Sequence, residues 1–301
     1  MRGMFASEVL RFRSRRLVWV LLILAVAAIL VGVAIAGLQS TPPSGAGLAE
    51  AQAQADQEVA HCRSEGIGSI EGEELDRVCR ANFGDPGQSL EPHMRLVELP
   101  SILEGISSIA LTIGLLIGAS LFGASWQTGT ITTIFTWEPR RLRWFATRVA
   151  VIGSGVFVMT IALLGLLSGA MAAAASWRGS TLGTDGEWFG DVVWTGTRVA
   201  VIAAAVSIIG GAVAAISRHT AGALAGVFVY LAVLENVIRG FRPSVGEWLL
   251  GDNIAAFVTF DRLFYSDDSS VTPERALVVI ALYVAVLLAA AMVLVRTRDV
   301  Q

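Results

Sequence analysis

The sequence contains no lysine, so all 22 of its basic residues are arginine. A Walker A loop needs its lysine to reach the phosphates of a nucleotide, and the chain therefore cannot hydrolyse ATP by that route. Charge of either sign is also scarce, because only 16% of the 301 residues are charged and 54% are hydrophobic. A soluble domain carries roughly 25% charged residues. The composition therefore indicates an integral membrane protein.

Histidine and cysteine are nearly absent, with three and two residues respectively. Neither an HExxH nor a GxSxG motif occurs, which argues against a metalloprotease and a serine hydrolase. His61 and His93 could join the cysteines at a metal ion, but no ligand spacing supports such a site. We therefore predict a chain without a catalytic site, metal or cofactor of its own, and without a nucleic-acid partner.

Six apolar runs are long enough to cross a bilayer, since about 20 residues are sufficient. The first, at 17–38, has 22 residues and no charge. The others lie at 102–124, 149–175, 197–216, 221–238 and 276–295. The sequence therefore predicts an all-α integral membrane protein with six transmembrane helices, which form a single transmembrane domain over residues 1–301.

Arginine is concentrated in the pieces that we place on the cytoplasmic side: the N-terminus, residues 125–148, the turn at 217–220 and the C-terminal tail. These pieces hold 12 arginines and three acids, whereas the rest of the chain holds 10 arginines and 22 acids. Short loops rich in arginine stay on the inner side of a membrane. The charge pattern therefore predicts that both termini are cytoplasmic.

The first 16 residues predict an amphipathic helix on the inner membrane surface. They carry five arginines and a single acid, Glu8. Met4, Phe5 and Phe12 fall on one helical face, with arginines opposite. A secretory signal is the alternative, but the apolar run that follows is too long and lacks a convincing cleavage site.

Residues 39–100 interrupt the apolar pattern and predict an extracytoplasmic insert between the first two membrane helices. The Ala-rich stretch 47–62 and the Glu-rich stretch 70–81 are typical of two short helices, which together make a helical hairpin. Cys62 and Cys79 lie one in each helix. On the outer side of a membrane they would form a disulfide worth roughly 3 kcal/mol. Two free thiols are the alternative.

Polar residues within the predicted spans mark candidate functional positions. Glu235 and Asn236 lie near the outer end of the fifth helix. A functional role for Glu235 competes with a structural one, in which the carboxylate lies at the level of the lipid headgroups and pairs with an arginine such as Arg239. Three GxxxG pairs would allow helices to approach closely. These pairs are Gly114 and Gly118, Gly165 and Gly169, and Gly222 and Gly226.

Residues 125–148 form a polar and basic stretch between the second and third apolar runs. Its opening, Gln127-Thr128-Gly129-Thr130, favours a turn or a helix start. Apolar residues at near-helical spacing follow, namely Ile131, Ile134, Phe135 and Trp137. Pro139 disfavours helical geometry in Glu138 and ends that helix. Arginines then lead into the next run, at Arg140, Arg141, Arg143 and Arg148. We interpret the stretch as a docking surface for a motor that the chain lacks, with an ordinary interfacial loop as the alternative.

Over nearly its whole length the chain resembles the permease subunits of ABC exporters of the ABC-2 type. The family's amphipathic elbow, which runs into helix 1, is similar to ASEVLRFRSRRLVWVLL. Its inner loop is similar to GASLFGASWQTGTITTIFTWEPRRLRWFATRVAVI. Its inner turn, fifth helix and following outer segment resemble ISRHTAGALAGVFVYLAVLENVIRGFRPSVGEWL. Two features differ from the family: Gln127 stands where an acid is usual, and the insert at 39–100 is longer than in simple members.

The resemblance implies a dimer of permeases, with a homodimer favoured over a heterodimer. Each protomer would bind a separate cytoplasmic ABC ATPase, which carries the ATP and Mg. Residues 127–137 would form a coupling helix in a groove of that ATPase. The implied coupling residues are Gln127, Thr128, Gly129, Thr130, Ile134, Trp137, Glu138, Arg140 and Arg141. The elbow would contain Phe5, Leu10 and Phe12. The substrate would be hydrophobic or amphipathic, because few charges line the spans.

A membrane anchor or sensor is the alternative function. Its outer hairpin would bind a ligand, and its inner loop would recruit a cytoplasmic partner. Either function places the chain in the cell membrane as a multi-pass protein within the lipid bilayer. The lack of lysine is typical of a GC-rich coding genome and favours a bacterial source.

Overall fold

The computed structural model of the chain describes residues 2–40, 44–66, 72–84, 94–131, 133, 140–259 and 272–297. Regular structure within these ranges is helical, and the one extended pairing is an isolated bridge between Arg95 and Ser180. The α-helices are α1 (Arg2–Ser14), α2 (Arg16–Gln39), α3 (Gly45–Glu65), α4 (Glu73–Phe83), α5 (Leu99–Gly105), α6 (Ser107–Gln127), α7 (Arg141–Arg178), α8 (Gly186–Ser217), α9 (Thr220–Val229), α10 (Glu235–Phe241), α11 (Leu250–Thr259) and α12 (Pro273–Thr297). A π-helix, Tyr230–Leu234, joins α9 to α10. The described residues also form two 3₁₀-helices, Leu96–Glu98 and Pro243–Trp248.

Among the described residues, six helices are long and apolar enough to cross a membrane, as the sequence predicts. They are α2, α6, α7, α8, the stretch Thr220–Phe241 that contains α9 and α10, and α12. Large apolar side chains on these helices stay exposed, and only 6% of the most apolar 18-residue stretch of α2 is buried. Such a surface is favourable in lipid and unfavourable in water. The chain is therefore a multi-pass membrane protein of helical architecture.

Two spans begin earlier than their apolar runs. Helix α7 begins at Arg141 rather than at 149, because Trp144 and Phe145 extend its buried face. Helix α8 begins at Gly186 rather than at 197, where a carboxylate oxygen of Asp185 accepts a hydrogen bond of 2.8 Å from the Trp188 amide. This bond satisfies one of the free amides of a helix start. Hydropathy locates the apolar part of a helix but not its ends.

The first of two compact units comprises Met1–Leu24, Leu103–Leu163 and Trp194–Gln301. Within it α6 packs closely on α8, since a Cβ atom at Gly114 would lie 2.7 Å from the Ala203 carbonyl oxygen. A Cβ atom at Gly118 would collide with the Ser207 carbonyl. This GxxxG pair therefore has the predicted packing role. In the described part of the chain, nothing lies within 4 Å of a Cβ atom built at Gly165, Gly169 or Gly226, and a Cβ atom at Gly222 would make only ordinary contacts of 3.6 Å with His219 and Ser217 in the preceding turn.

The second unit comprises Ala25–Ile102 and Leu164–Val193. Its α3 and α4 are the two helices that the sequence predicts in the insert. The predicted disulfide joins Cys62 to Cys79, whose Cα atoms are 5.8 Å apart. Val59 and Leu75 pack around the bond. The location of this hairpin outside the membrane stays a prediction.

Candidate functional site

A buried ion pair joins α1 to α7. Glu8 and Arg148 are 4% and 2% exposed, and Arg148 Nε lies 3.7 Å from Glu8 Oε2. The other carboxylate oxygen of Glu8 accepts a hydrogen bond of 3.0 Å from Arg11 Nη1. A buried charge is strongly disfavoured unless it is paired. The pair therefore fixes α1 on the first turns of α7.

The same arginine also contacts α6. Arg148 Nη2 donates hydrogen bonds to the Leu121 carbonyl and to Ser125 Oγ, both at 2.6 Å. Its guanidinium carbon lies 5.2 Å from the ring centre of Phe122 and 5.1 Å from that of Trp144. These distances are within the range of cation–π interactions. Arg148 consequently links three helices at the place where α6 ends and α7 begins.

A cavity of about 450 Å³ adjoins this cluster. Its lining consists of arginine and hydroxyl side chains, namely Arg11, Ser14, Arg15, Ser125, Thr128, Thr130, Thr133 and Arg148. Arg15 Nη1 donates a hydrogen bond of 3.1 Å to the Ser120 carbonyl in α6. Burial lowers the pKa of the Arg15 guanidinium, whereas the charge of Glu8 raises it and that of Arg11 lowers it further. Arginine has so high an ordinary pKa that the side chain stays positive. We call this the arginine pocket.

The beginning of the predicted coupling segment lies beside the arginine pocket. Gln127 is the last residue of α6. Thr128 and Thr130 line the pocket, and their hydroxyl oxygens are 2.8 Å apart. Gly129 between them has a φ of +66°, in the left-handed region that favours glycine. The Gln-Thr-Gly-Thr opening therefore turns at Thr128 and Gly129 and becomes helical at Thr130, so it contains both of the conformations expected for it.

The remaining predicted coupling residues are only partly described. The predicted coupling helix does not begin at Gln127, because that residue belongs to α6 and the chain turns at Thr128 and Gly129 before it becomes helical at Thr130. Ile134, Trp137 and Glu138 lie outside the described residues, so the rest of that helix stays a prediction. Arg140 is exposed, and its carbonyl accepts hydrogen bonds from the amides of Arg143 and Trp144 in the first turn of α7. Arg141 Nη1 lies 3.5 Å from the carbonyl of Val295 in α12.

Sequence reasoning misses the partnership of Glu8 and Arg148. It treats Arg148 as one of several arginines that keep a loop on the inner side. One signal in the sequence does point to Glu8, which is the only acid among the first 16 residues. It lies midway between Met4 and Phe12 at four-residue spacing, and thus on the apolar face of α1. An acid on an apolar helical face requires a buried partner.

A second polar group surrounds Glu235, which is 2% exposed. Both of its carboxylate oxygens accept hydrogen bonds from the Gly251 amide at the start of α11, at 3.0 and 3.1 Å. Arg239 pairs with Asp252 at 2.5 Å rather than with Glu235, unlike the structural alternative considered from the sequence. Asn236 is exposed and accepts a hydrogen bond of 3.1 Å from Arg239. The carboxylate of Glu235 thus binds a helix N-terminus.

A cavity of about 350 Å³ lies beside this group, between α6 and the fifth membrane span. Its lining is mostly apolar and comprises Leu111, Thr112, Leu115, Val206, Val227, Leu231, Glu235, Arg239, Gly251 and Ile254. An apolar cavity with a few polar groups is suited to an amphipathic molecule.

Comparison of the sequence with models of protein families finds no matching family, and comparison with curated proteins finds no match.

Proposed function

We propose that the chain is the permease subunit of an ATP-driven exporter of the ABC-2 type. Two protomers would bind separate cytoplasmic ATPase subunits, which hold the ATP and Mg, and would move a hydrophobic or amphipathic substrate across the cell membrane of a bacterium. Both termini and residues 125–148 would face the cytoplasm, α1 would be the elbow helix, and the disulfide-bonded hairpin would lie outside.

The contacts of Arg148 are the observation that carries the proposal. The polar segment after α6 leads directly into α7, and Arg148 binds both helices and α1. A displacement of that segment by a partner would therefore move three helices together. An ATPase that closes on ATP needs such a connection to change the access of a substrate path. The apolar cavity between α6, which is the second membrane span, and the fifth span is consistent with a substrate path between these two spans.

Affinity purification of the chain from its native membranes tests the proposal. We expect a stoichiometric P-loop ATPase in the preparation, with ATP hydrolysis that vanadate inhibits. A preparation that holds no ATPase would overturn the proposal.

Replacement of Arg140 and Arg141 by alanine tests the docking surface. We expect weaker ATPase association or turnover, because these residues would contact the ATPase, while the chain stays folded. Arg242→Ala removes an exposed charge after the fifth span and is the control. Equal ATPase association and turnover in wild type and variant would refute the coupling assignment.

The membrane sensor is the second candidate, and the disulfide-bonded hairpin favours it. A cross-linked pair of helices is a rigid surface that a ligand outside the membrane could bind. Purification without an ATPase, together with a ligand that loses affinity when the disulfide is reduced, would favour the sensor over the exporter.

A further inference from the structure

The arginine pocket concentrates positive charge. Three arginines line it, Arg11, Arg15 and Arg148, and one carboxylate, Glu8, pairs with two of them. The positive charges therefore exceed the negative one within this cluster. An excess of buried or half-buried cationic groups around a cavity favours an anion inside it.

The guanidinium groups have donors to spare. Arg148 is 2% exposed, and its Nη1 atom is itself buried, with no hydrogen-bond partner among the described residues. Each guanidinium has five N–H donors. Arg11 uses one of them in its hydrogen bond to Glu8, and Arg15 uses one in its hydrogen bond to the Ser120 carbonyl. The three arginines thus carry more donors than the surrounding protein accepts, and those of Arg11 and Arg15 are the ones that a ligand in the pocket can reach.

The hydroxyl groups of the pocket contribute little to this donor capacity. The hydroxyls of Ser14, Ser125 and Thr128 donate to backbone carbonyls of their own helical turns, at 3.2, 3.0 and 2.8 Å. Arginines must consequently supply the main contacts to an anion. One guanidinium group can donate two parallel hydrogen bonds to two oxygens of a phosphate. A phosphate has enough oxygens to accept such bonds from several arginines at once.

The surroundings of the pocket resemble the boundary between lipid and water. Phe5, Leu10 and Trp19 are 48%, 66% and 49% exposed on α1 and the first turn of α2, while Arg11 is also half-exposed. Exposed aromatic and apolar side chains next to arginine are typical of the headgroup layer. Basic pockets between membrane helices at this level bind lipid phosphates.

We propose that the arginine pocket binds a phosphate group, carried either by the headgroup of an anionic lipid or by a free phosphate ion. This inference rests on the pocket alone and not on the exporter proposal. The phosphate would neutralise the excess charge beside the Glu8–Arg148 pair and thereby strengthen the contact between α1, α6 and α7.

The experiment measures binding to the purified full chain in nonionic detergent. The probes are dioleoyl phosphatidic acid, dioleoyl phosphatidylcholine and sodium phosphate, and native mass spectrometry gives the affinity for each lipid. The pocket variant is Arg11→Gln with Arg15→Gln. The control is Arg13→Gln with Arg16→Gln, which removes the same charge from the same region but from residues that do not line the pocket.

We expect phosphatidic acid to bind more tightly than phosphatidylcholine. The pocket variant should lose about tenfold or more of that affinity, since a charge-assisted hydrogen bond typically contributes a factor of that size. The control pair should change it less than about twofold. Sodium phosphate distinguishes the source: binding that requires the acyl chains identifies a lipid, whereas tight binding of sodium phosphate itself identifies the free ion. Equal losses in both variants, or a wild type that binds neither phosphatidic acid nor sodium phosphate, would overturn the proposal.

A measurement on the wild type keeps the test valid if the pocket variant does not fold. Phenylglyoxal labels accessible arginines, and the labelled positions are read by mass spectrometry after digestion. The ligand that binds should protect Arg11 and Arg15 while leaving Arg13 and Arg16 unprotected. Equal labelling of all four residues with and without the ligand would contradict a phosphate in the pocket.

Discussion

The Glu8–Arg148 pair gives the sharpest test of how α1 is attached. We consider Glu8→Gln, which keeps the size of the side chain and removes its charge. Arg148 would then be a buried cation without a counter-ion. Removing one partner of a buried ion pair destabilises a protein by roughly 3–5 kcal/mol.

The structure places the expected effect at the lower end of that range. Arg148 retains its hydrogen bonds to Leu121 and Ser125 and its two ring contacts, and the Nε–Oε2 distance is 3.7 Å. We therefore expect a loss of about 3 kcal/mol, which is roughly a 150-fold shift of the unfolding equilibrium.

The assay is reversible unfolding in mixed micelles titrated with SDS, followed by tryptophan fluorescence. The double variant Glu8→Gln with Arg148→Met should be more stable than the sum of the single changes predicts, by about 1–3 kcal/mol, because it buries no unpaired charge. Glu58→Gln changes an exposed acid in α3 and is the control, with an expected effect within about 0.5 kcal/mol. The buried ion pair would be refuted in either of two cases. Glu8→Gln could prove as stable as the control, or the double variant could lose as much stability as its two single variants together.

Three further predictions follow from the fold. Gly118→Ala should destabilise the chain by roughly 1–3 kcal/mol in the same assay, because its Cβ atom would collide with a backbone carbonyl of α8. Gly165→Ala, where the structure has open space, should not destabilise it, and equal losses would contradict the packing assignment. Cys62→Ser should lower stability by roughly 3 kcal/mol. It should also abolish the change in gel mobility that reduction causes in the wild type. A variant that still changes mobility on reduction would show that the Cys62–Cys79 disulfide does not cause the change. Glu235→Ala should cost roughly 1–2 kcal/mol through the loss of its bonds to the start of α11. Asn236→Ala, at an exposed neighbour, should change stability by less than about 0.5 kcal/mol, and the reverse order would reject the capping role.

The sequence by itself determines which segments can cross a membrane. Each span depends on length and apolar content within about 20 consecutive residues, and no distant contact is needed to recognise it. The helical hairpin and its cysteine pair are equally local, because the two cysteines are separated by 17 positions. The Gly114/Gly118 pair shows the limit of this reasoning. All three GxxxG motifs have the same sequence pattern, but only contacts with another helix distinguish the pair that packs closely.

Tertiary structure alone decides the candidate site. Arg15 and Ser120 are 105 positions apart, and Arg148 joins residues of three helices. No local pattern says which arginine of a basic loop enters the protein and which stays at the surface. That choice depends on where a buried carboxylate is available, since a charge is buried only beside a partner. The physical reason for the difference is therefore range: membrane insertion is decided by the composition of one segment, whereas a buried ion pair and the arginine pocket beside it form only when three segments meet.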